Sequence, residues 1–381
     1  MVQEHKRNKR NYSEIVEELL KYLPSVGSQE VLSSDCVGEI LSEDIILKEN
    51  YPNCFISKYD GYLCKGNSPF KLIKEIYPKD ELNFSIEEGC CVFLATGSAV
   101  KEIKEELKFF KIEDVDVKDS YIIPIADDTK NNWIKPGSEL KSGEKIFSRG
   151  KKISYKDKFA LELLNIRFVK VFKRLNLSII NTGSELVNES DEPNVTPLSS
   201  WIIAPIAQFD GFNVIHSGPI ADEEYLLEEI LEENLNSDII LFIGSTGKGK
   251  RDLIRGVLNK KANPIFEIFN TPVGKNSYAY LCENKLILGF SGIIQASVAL
   301  YYLILRNLIF KQRELPVENL ADFCDFLEKP EIGRSNWYKS ENIESGRIIL
   351  KKCNFLNSEF LGFYFDEKLF IQRTNFFNQV F

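Results

Sequence analysis

Residues 244–252 read Gly-Ser-Thr-Gly-Lys-Gly-Lys-Arg-Asp. Gly244, Gly247 and Gly249 let backbone N–H groups approach an anion with no Cβ in the way, and Lys248, Lys250 and Arg251 add positive charge. Five apolar residues at 239–243 precede the segment, as in a strand buried on both faces. A helix predicted after it would turn its N-terminal N–H groups and dipole toward the same anion. In open α/β sheets ligands sit outside the carboxyl ends of the strands, so this spacing predicts an anion cradle built with Ser245 and Thr246 between the glycines. Two other readings compete. Residues 244–250 satisfy the P-loop pattern G-x-x-x-x-G-K, but Arg251 stands where a P-loop needs Ser or Thr to hold magnesium. A plain glycine-rich turn with Asp252 as helix N-cap leaves the coincidence of three glycines with three cations unexplained.

The surrounding elements must hold this loop. Strands are predicted at 177–180, 213–215, 239–243, 264–269 and 286–288, alternating with helices at 197–209, 223–234, 252–258 and 295–310. That rhythm predicts a parallel, helix-covered sheet. Upstream, apolar residues at helical spacing predict an amphipathic helix over 12–23 with Ser13 as N-cap, and a second helix over 156–165 followed by a strand or connector at 168–172. Between them, residues 45–147 carry short apolar runs broken by Gly, Pro, Asn and Asp, for example 91–94 and 121–125, which reads as a β-rich module. Past Lys311 three short strands are predicted, at 346–350, 360–365 and 368–373. The fold class expected is α/β plus β, and no internal repeat is present.

A chain of 381 residues with 44% hydrophobic and 27% charged residues has the composition of a folded, multidomain soluble protein. Its net charge of −8 argues against a nucleic-acid surface, and the basic run from His5 to Arg10 reads as a frayed tail. No run of about 18 apolar residues exists, so no membrane span is expected. The eight cysteines include no C-x-x-C pair and read as buried thiols in a reducing cytoplasm. His216 is the one histidine outside the N-terminal run, which excludes a Ser-His-Asp triad beyond that residue and a His-rich metal site. It reads as a packed or edge histidine.

The loop resembles that of the molybdopterin-binding domain, and further segments follow in the order found in molybdopterin molybdenumtransferases (MoeA and the gephyrin E domain). Asp60-Gly61-Tyr62 resembles M-D-G-Y, Thr96-Gly97 a T-G turn, and Gly137-Ser138-Glu139 a G-E-D segment followed by Gly143 and Gly150. Thr182-Gly183-Ser184-Glu185-Leu186 resembles T-G-D-E-L, Ala221-Asp222 occupies a D-D position, and residues 272–275 stand where P-G-K is usual. The chain departs from the pattern at Cys54-Phe55-Ile56-Ser57-Lys58, where the family has F-D-N-S-A, and at Phe290-Ser291-Gly292-Ile293-Ile294, where L-P-G-N-P is usual and only the glycine remains.

The resemblance implies a three-layer molybdopterin-binding α/β domain at 173–312, a linking domain at 11–46 and 146–172, an inserted β-rich domain at 47–145 and a C-terminal β domain at 313–381. It implies insertion of molybdate into adenylylated molybdopterin with release of AMP, or, on the same fold, a catalytically impaired molybdopterin-binding or scaffold protein. It further implies a cytoplasmic homodimer using Mg2+. Both substrates are anions, so the site needs cations, oriented N–H donors and a divalent metal. On that reading the loop amides with Lys248, Lys250 and Arg251 hold the pterin phosphate together with Thr96, Thr182 and Gly183, and Lys275 meets molybdate or a second phosphate. Asp60, Glu185, Asp222 and Asp252 are the candidate catalytic carboxylates, the first three also as metal ligands. Asp222 has an alternative use as cap of the helix predicted from Glu223, and Glu185 as a solvated turn residue.

Overall fold

The structure is a computed structural model that describes residues 12–80, 85–104, 106–126, 132–183, 186, 198–244, 253–269, 271, 274 and 276–316, with C-terminal strands at 324–326, 336–344, 347–352, 360–365 and 368–373. Ile15, Val16 and Leu19, spaced for one helical face, are buried on a helix spanning Tyr12–Leu20 (α1). Ser13 lies inside its first turn rather than ahead of it. The second predicted helix spans Tyr155–Leu163 (α2). The chain divides into two compact units, one of residues 43–151 and 156–169, the other of 1–42, 152–155 and 170–381.

The first unit is β-rich. Gly61–Lys65 (β1), Phe70–Ile76 (β2), Cys90–Leu94 (β3), Leu107–Lys111 (β4), Val115–Lys118 (β5) and Tyr121–Pro124 (β6) form a six-stranded sheet in the order β4-β1-β3-β2-β6-β5. Its two faces bury separate clusters, one around Tyr62, Cys64 and Phe110, the other around Leu63, Val92 and Phe109. Residues 62–64 thus alternate between faces, as period two requires.

The second unit contains a sheet of Leu175–Thr182 (β7), Phe212–Ile220 (β8), Ile239–Ile243 (β9), Asn263–Phe269 (β10), Ser277–Cys282 (β11) and Lys285–Phe290 (β12), ordered β8-β7-β9-β12-β11-β10. The first four strands in that order run parallel, while β11 and β10 join antiparallel, so the sheet is mixed rather than wholly parallel. Along β9, Ile239, Leu241 and Ile243 pack on one face and Ile240 and Phe242 on the other. Helices Leu198–Phe209 (α3), Glu224–Glu233 (α4), Leu253–Lys261 (α5), Ile294–Leu300 (α6) and Asn307–Gln312 (α7) cover it. Residues of α1, α3, α6 and α7 share the first face and those of α4 and α5 the second, giving three layers. Truncating Leu241, fully buried, to alanine would cost about 2–5 kcal/mol. The long apolar helix predicted over 295–310 is interrupted by a π-helical stretch at Tyr301–Arg306.

That stretch faces a buried charge cluster at the end of α3. Tyr301 donates to Asp210 Oδ2 at 2.8 Å, and Arg306 Nε lies 3.2 Å from Oδ1, close enough for an ion pair though not aligned for a hydrogen bond. Arg313, 1% exposed, donates to the carbonyls of Asp210 and Gly211 and so closes the C-terminal end of the helix. Lys152 donates to Phe209 O at 2.6 Å, and burial lowers its pKa to about 8.

The C-terminal sheet has five strands, Cys324–Phe326, Asn336–Glu344, Arg347–Lys352, Phe360–Phe365 and Lys368–Arg373, where three were predicted. The two additional strands precede the first predicted one. Among the described residues no helix is long and apolar enough to cross a membrane.

Candidate functional site

From β7 the chain crosses to β8 on one side, while β9 lies on the other, so the strand order changes direction between β7 and β9. A crevice outside the carboxyl ends of the strands at such a point is where α/β sheets bind ligands. Thr182 ends β7, Gly244 follows β9 and Phe290 ends β12. Gly244 donates its N–H to Phe290 O at 3.1 Å and has φ +120°. A Cβ on Gly244 would stand 2.2 Å from Thr182 O and 2.9 Å from Thr182 Oγ1, so only glycine fits. Gly183 N donates to Ile220 O at 3.0 Å, which ties the end of β8 into the same edge. Asp222 stands two residues beyond that strand. The N-cap of α4 is Glu223, so the capping role considered for Asp222 falls to its neighbour's position.

Gly292 survives from the altered 290–294 turn, and the structure places it beside Gly244. A Cβ there would meet Gly244 Cα at 3.4 Å, an ordinary contact, so the fold itself tolerates a larger residue. Its carbonyl accepts from Ser199 Oγ at 3.2 Å. Thr271 organises the neighbouring turn by exchanging hydrogen bonds with Gly274, one from Thr271 N at 2.8 Å and one to Thr271 Oγ1 at 2.9 Å.

Beneath the Thr182 turn lies a polar chain absent from the sequence reading. Asn181 Nδ2 donates to Ser200 Oγ, and His216 Nε2 is 2.8 Å from the same oxygen. Asn181 and Ser200 are buried and His216 lies on the sheet's edge strand, in line with the edge reading of that histidine. The three residues come from β7, α3 and β8, and no local spacing announces their meeting.

In the β-rich unit, Asp60 immediately precedes β1 and Thr96 follows β3 by two residues. Ser98 N donates to Ala95 O at 2.9 Å, and Gly97 has φ +86°, which makes 95–98 a tight turn requiring glycine at its third position. Thr96 N and Oγ1 both donate to Asp60 Oδ1, at 2.6 and 2.9 Å. The backbone bond first and the hydroxyl second hold the exposed Asp60 carboxyl below its ordinary value. The neighbouring motif residues serve packing. A Cβ on Gly61 would come within 2.4 Å of Phe110 O, and Tyr62 packs edge-on against Phe93 at 5.6 Å.

The structure thus brings together Thr182, Gly183 and Gly244 in one unit and Asp60 with Thr96 in the other. Glu185, Lys275 and residues 245–252, which include Ser245, Thr246, Gly247, Lys248, Gly249, Lys250, Arg251 and Asp252, lie outside the described residues.

Known proteins resemble this chain in sequence and fold. Residues 10–163 match the MoeA N-terminal region (domain I and II), and residues 178–310 match a probable molybdopterin binding domain. The chain belongs to the MoeA family. Asp60 and Thr96 fall within the first of these regions and Thr182, Gly183 and Gly244 within the second. The chain is 22% identical over 302 residues to a molybdopterin molybdenumtransferase of Staphylococcus aureus, covering 75% of this chain and 72% of that one. It is 25% identical over 275 residues to gephyrin of Dictyostelium discoideum, covering 63% of this chain and 38% of gephyrin, well under two thirds of the latter's length. A solved molybdopterin biosynthesis MoeA protein from Pyrococcus horikosii superposes with a TM-score of 0.71 at 17% identity, covering 96% of this chain and 97% of the other, which establishes the fold. MoeA membership assigns the chain to molybdenum cofactor biosynthesis and to a molybdopterin-related ligand. At this sequence distance it is a divergent member.

Proposed function

We propose that this chain inserts molybdate into adenylylated molybdopterin and releases AMP. The observation that carries this reading is the approach of Gly244 to Thr182 at the carboxyl edge of the sheet, where a ligand phosphate can reach backbone N–H groups. The loop at 245–251, with Lys248, Lys250 and Arg251, holds the pterin phosphate on this reading, and Lys275 meets molybdate or a second phosphate. Glu185, Asp222 and Asp252 serve on this reading as further carboxylates around the reacting phosphoanhydride.

Asp60 is suited to hold a divalent cation. It is an exposed, readily ionised carboxylate, and the two hydrogen bonds from Thr96 both go to Oδ1. Magnesium takes one or two carboxylates and completes its shell with phosphate and water. We assign Asp60, Glu185 and Asp222 to it. Bound magnesium supplies charge neutralisation at the phosphoanhydride. Thr96 keeps Asp60 ionised and oriented, the glycine loop binds the phosphate, and the lysines offset charge that develops as AMP leaves.

We assign the units of the chain as a linking domain (11–46 and 146–172), an inserted β-rich domain (47–145), the pterin-binding domain (173–312) and a C-terminal β domain (313–381). A cytoplasmic homodimer completes the reading. Its support is a set of apolar side chains on and after α2, with Phe159, Leu163 and Phe168 exposed by 66%, 51% and 52%, and the free thiols of the six described cysteines. Sedimentation equilibrium tests the dimer.

One observation favours the non-catalytic alternative. In the altered segment, Phe55 packs edge-on against Trp133 at 6.5 Å, and Ile56 pairs with Ile134 in a small sheet, so these residues serve packing rather than polar recognition. The deciding experiment incubates the purified protein with adenylylated molybdopterin, molybdate and magnesium and measures AMP. Release that is lost in Asp60→Ala supports the transferase. Binding of the pterin without AMP release supports the scaffold.

A further inference from the structure

β1 and β3 are adjacent antiparallel strands at the centre of the β-rich sheet, and their register sets Cys64 directly opposite Cys91. Directly opposed residues point to the same face, with Cα atoms about 4.5–5.5 Å apart, inside the range of about 4.4–6.8 Å that a disulfide spans. Both thiols are fully buried in the cluster that also holds Tyr62, Phe70 and Phe110. Both are reduced in this structure.

We propose that Cys64 and Cys91 form an oxidative modification site, closing to a cross-strand disulfide when the protein meets hydrogen peroxide. Cys91 is the sulfur that reacts first, and Cys64 is the one that resolves it. Each thiol lies near a backbone carbonyl, Cys64 Sγ 3.6 Å from Tyr62 O and Cys91 Sγ 4.0 Å from Phe70 O, and the adjacent Cys64 holds the Cys91 thiol below its ordinary value against the opposing effect of burial. The Cys91 thiolate attacks one peroxide oxygen, the O–O bond breaks, and the released hydroxide takes up a proton as water, leaving a sulfenic acid at Cys91. Cys64 Sγ then attacks the Cys91 sulfur, the S–O bond breaks as the S–S bond forms, and the thiol proton leaves with the hydroxyl as a second water. Two thiols are oxidised and one peroxide is reduced to two waters. Cys90 cannot replace Cys91, because its side chain joins the cluster on the opposite face.

The bond would sit on the two strands whose outer ends carry Asp60 and Thr96, three rungs from the Gly61–Leu94 pair. It does not depend on the proposed reaction.

The test treats the folded full chain with hydrogen peroxide, blocks remaining thiols and maps peptides without reduction. The expected result is a peptide containing Cys64 joined to the peptide containing Cys90 and Cys91, with a matching loss of two hydrogens in intact mass, reversed by dithiothreitol. Cys90→Ala keeps the link, whereas Cys64→Ala or Cys91→Ala removes it. A link that persists in Cys91→Ala, one that appears only in urea, or oxidation of Cys91 to the sulfinic acid with Cys64 still free would each overturn the proposal. The wild-type map alone decides the matter should either alanine variant fold poorly.

Discussion

The candidate residues fall in two places, one in each compact unit, and the two places are built from different materials. At the carboxyl edge of the α/β sheet, Gly244 is held by its backbone and by the absence of a Cβ, which would stand only 2.2 Å from Thr182 O. At the β-rich turn, Asp60 is a solvent-facing carboxylate fixed by two hydrogen bonds to one oxygen. A site of the first kind shares its atoms with the fold, so damage to it costs stability and binding together. A site of the second kind hangs on the fold and can be removed without disturbing it.

Substitutions can break this contrast, and the largest effect is expected at Gly244. Gly244→Ala places a Cβ on Thr182 at positive φ, and the β9 unit should lose about 3 kcal/mol, read as faster hydrogen exchange of the β9 amides. Pterin binding should fall with it. Unchanged exchange would mean the loop relaxes freely and the backbone does not make the site. Asp60→Ala comes next, with AMP release falling about a hundredfold or more while stability stays within about 0.5 kcal/mol. A large drop in melting temperature would erase the distinction between the two regions.

Thr96→Val is milder because the backbone bond to Asp60 survives. The carboxyl should titrate closer to its ordinary 3.8, and since a depressed carboxyl contributes only while ionised, the acid limb of any activity profile should move upward. An unmoved limb would remove Asp60 from the chemistry. Smallest is the effect of Lys152, which lies outside both parts and serves as a control. Below about 8 it is charged in both folded and unfolded chains and its burial cost stands in full; between about 8 and the ordinary 10.5 the folded chain releases its proton first, so stability rises with pH there. Lys152→Met should flatten that rise in urea denaturation at pH values spanning the interval, without altering pterin affinity.

The same contrast governs what could be read before the structure was known. β9 is legible to the residue because five consecutive apolar side chains are buried on both faces. The alternation of strands and helices around it located the carboxyl edge, and the glycines marked where the backbone approaches. The hairpin of β11 and β12 escaped because its two-residue turn is Glu283-Asn284, with φ of +49° and +62° and no glycine to announce it. That omission turned a mixed sheet into an expected parallel one. The bonds that hold Asp60, and the Asn181–Ser200–His216 chain, join residues 36 and up to 19 positions apart through tertiary packing, which periodicity does not register. Gly292 was legible only as a remnant of the family turn, and its place beside Gly244 needed coordinates.

The packing of α1 has a consequence for how the chain is made. Tyr12, Ile15, Val16 and Leu19 share a core with Leu308 and Ile309, and Glu17 pairs with Lys311, 294 positions later. On a ribosome the first helix therefore emerges long before its partner, with the whole β-rich unit synthesised in between. That unit draws its contacts from residues 43–151 and 156–169, whereas the α/β unit must keep an apolar helix waiting until residue 312 has left the exit tunnel. Nascent chains halted before α7 should expose α1 to protease, and chains halted well past it should protect it, placing the slowest closure of the fold between its two ends.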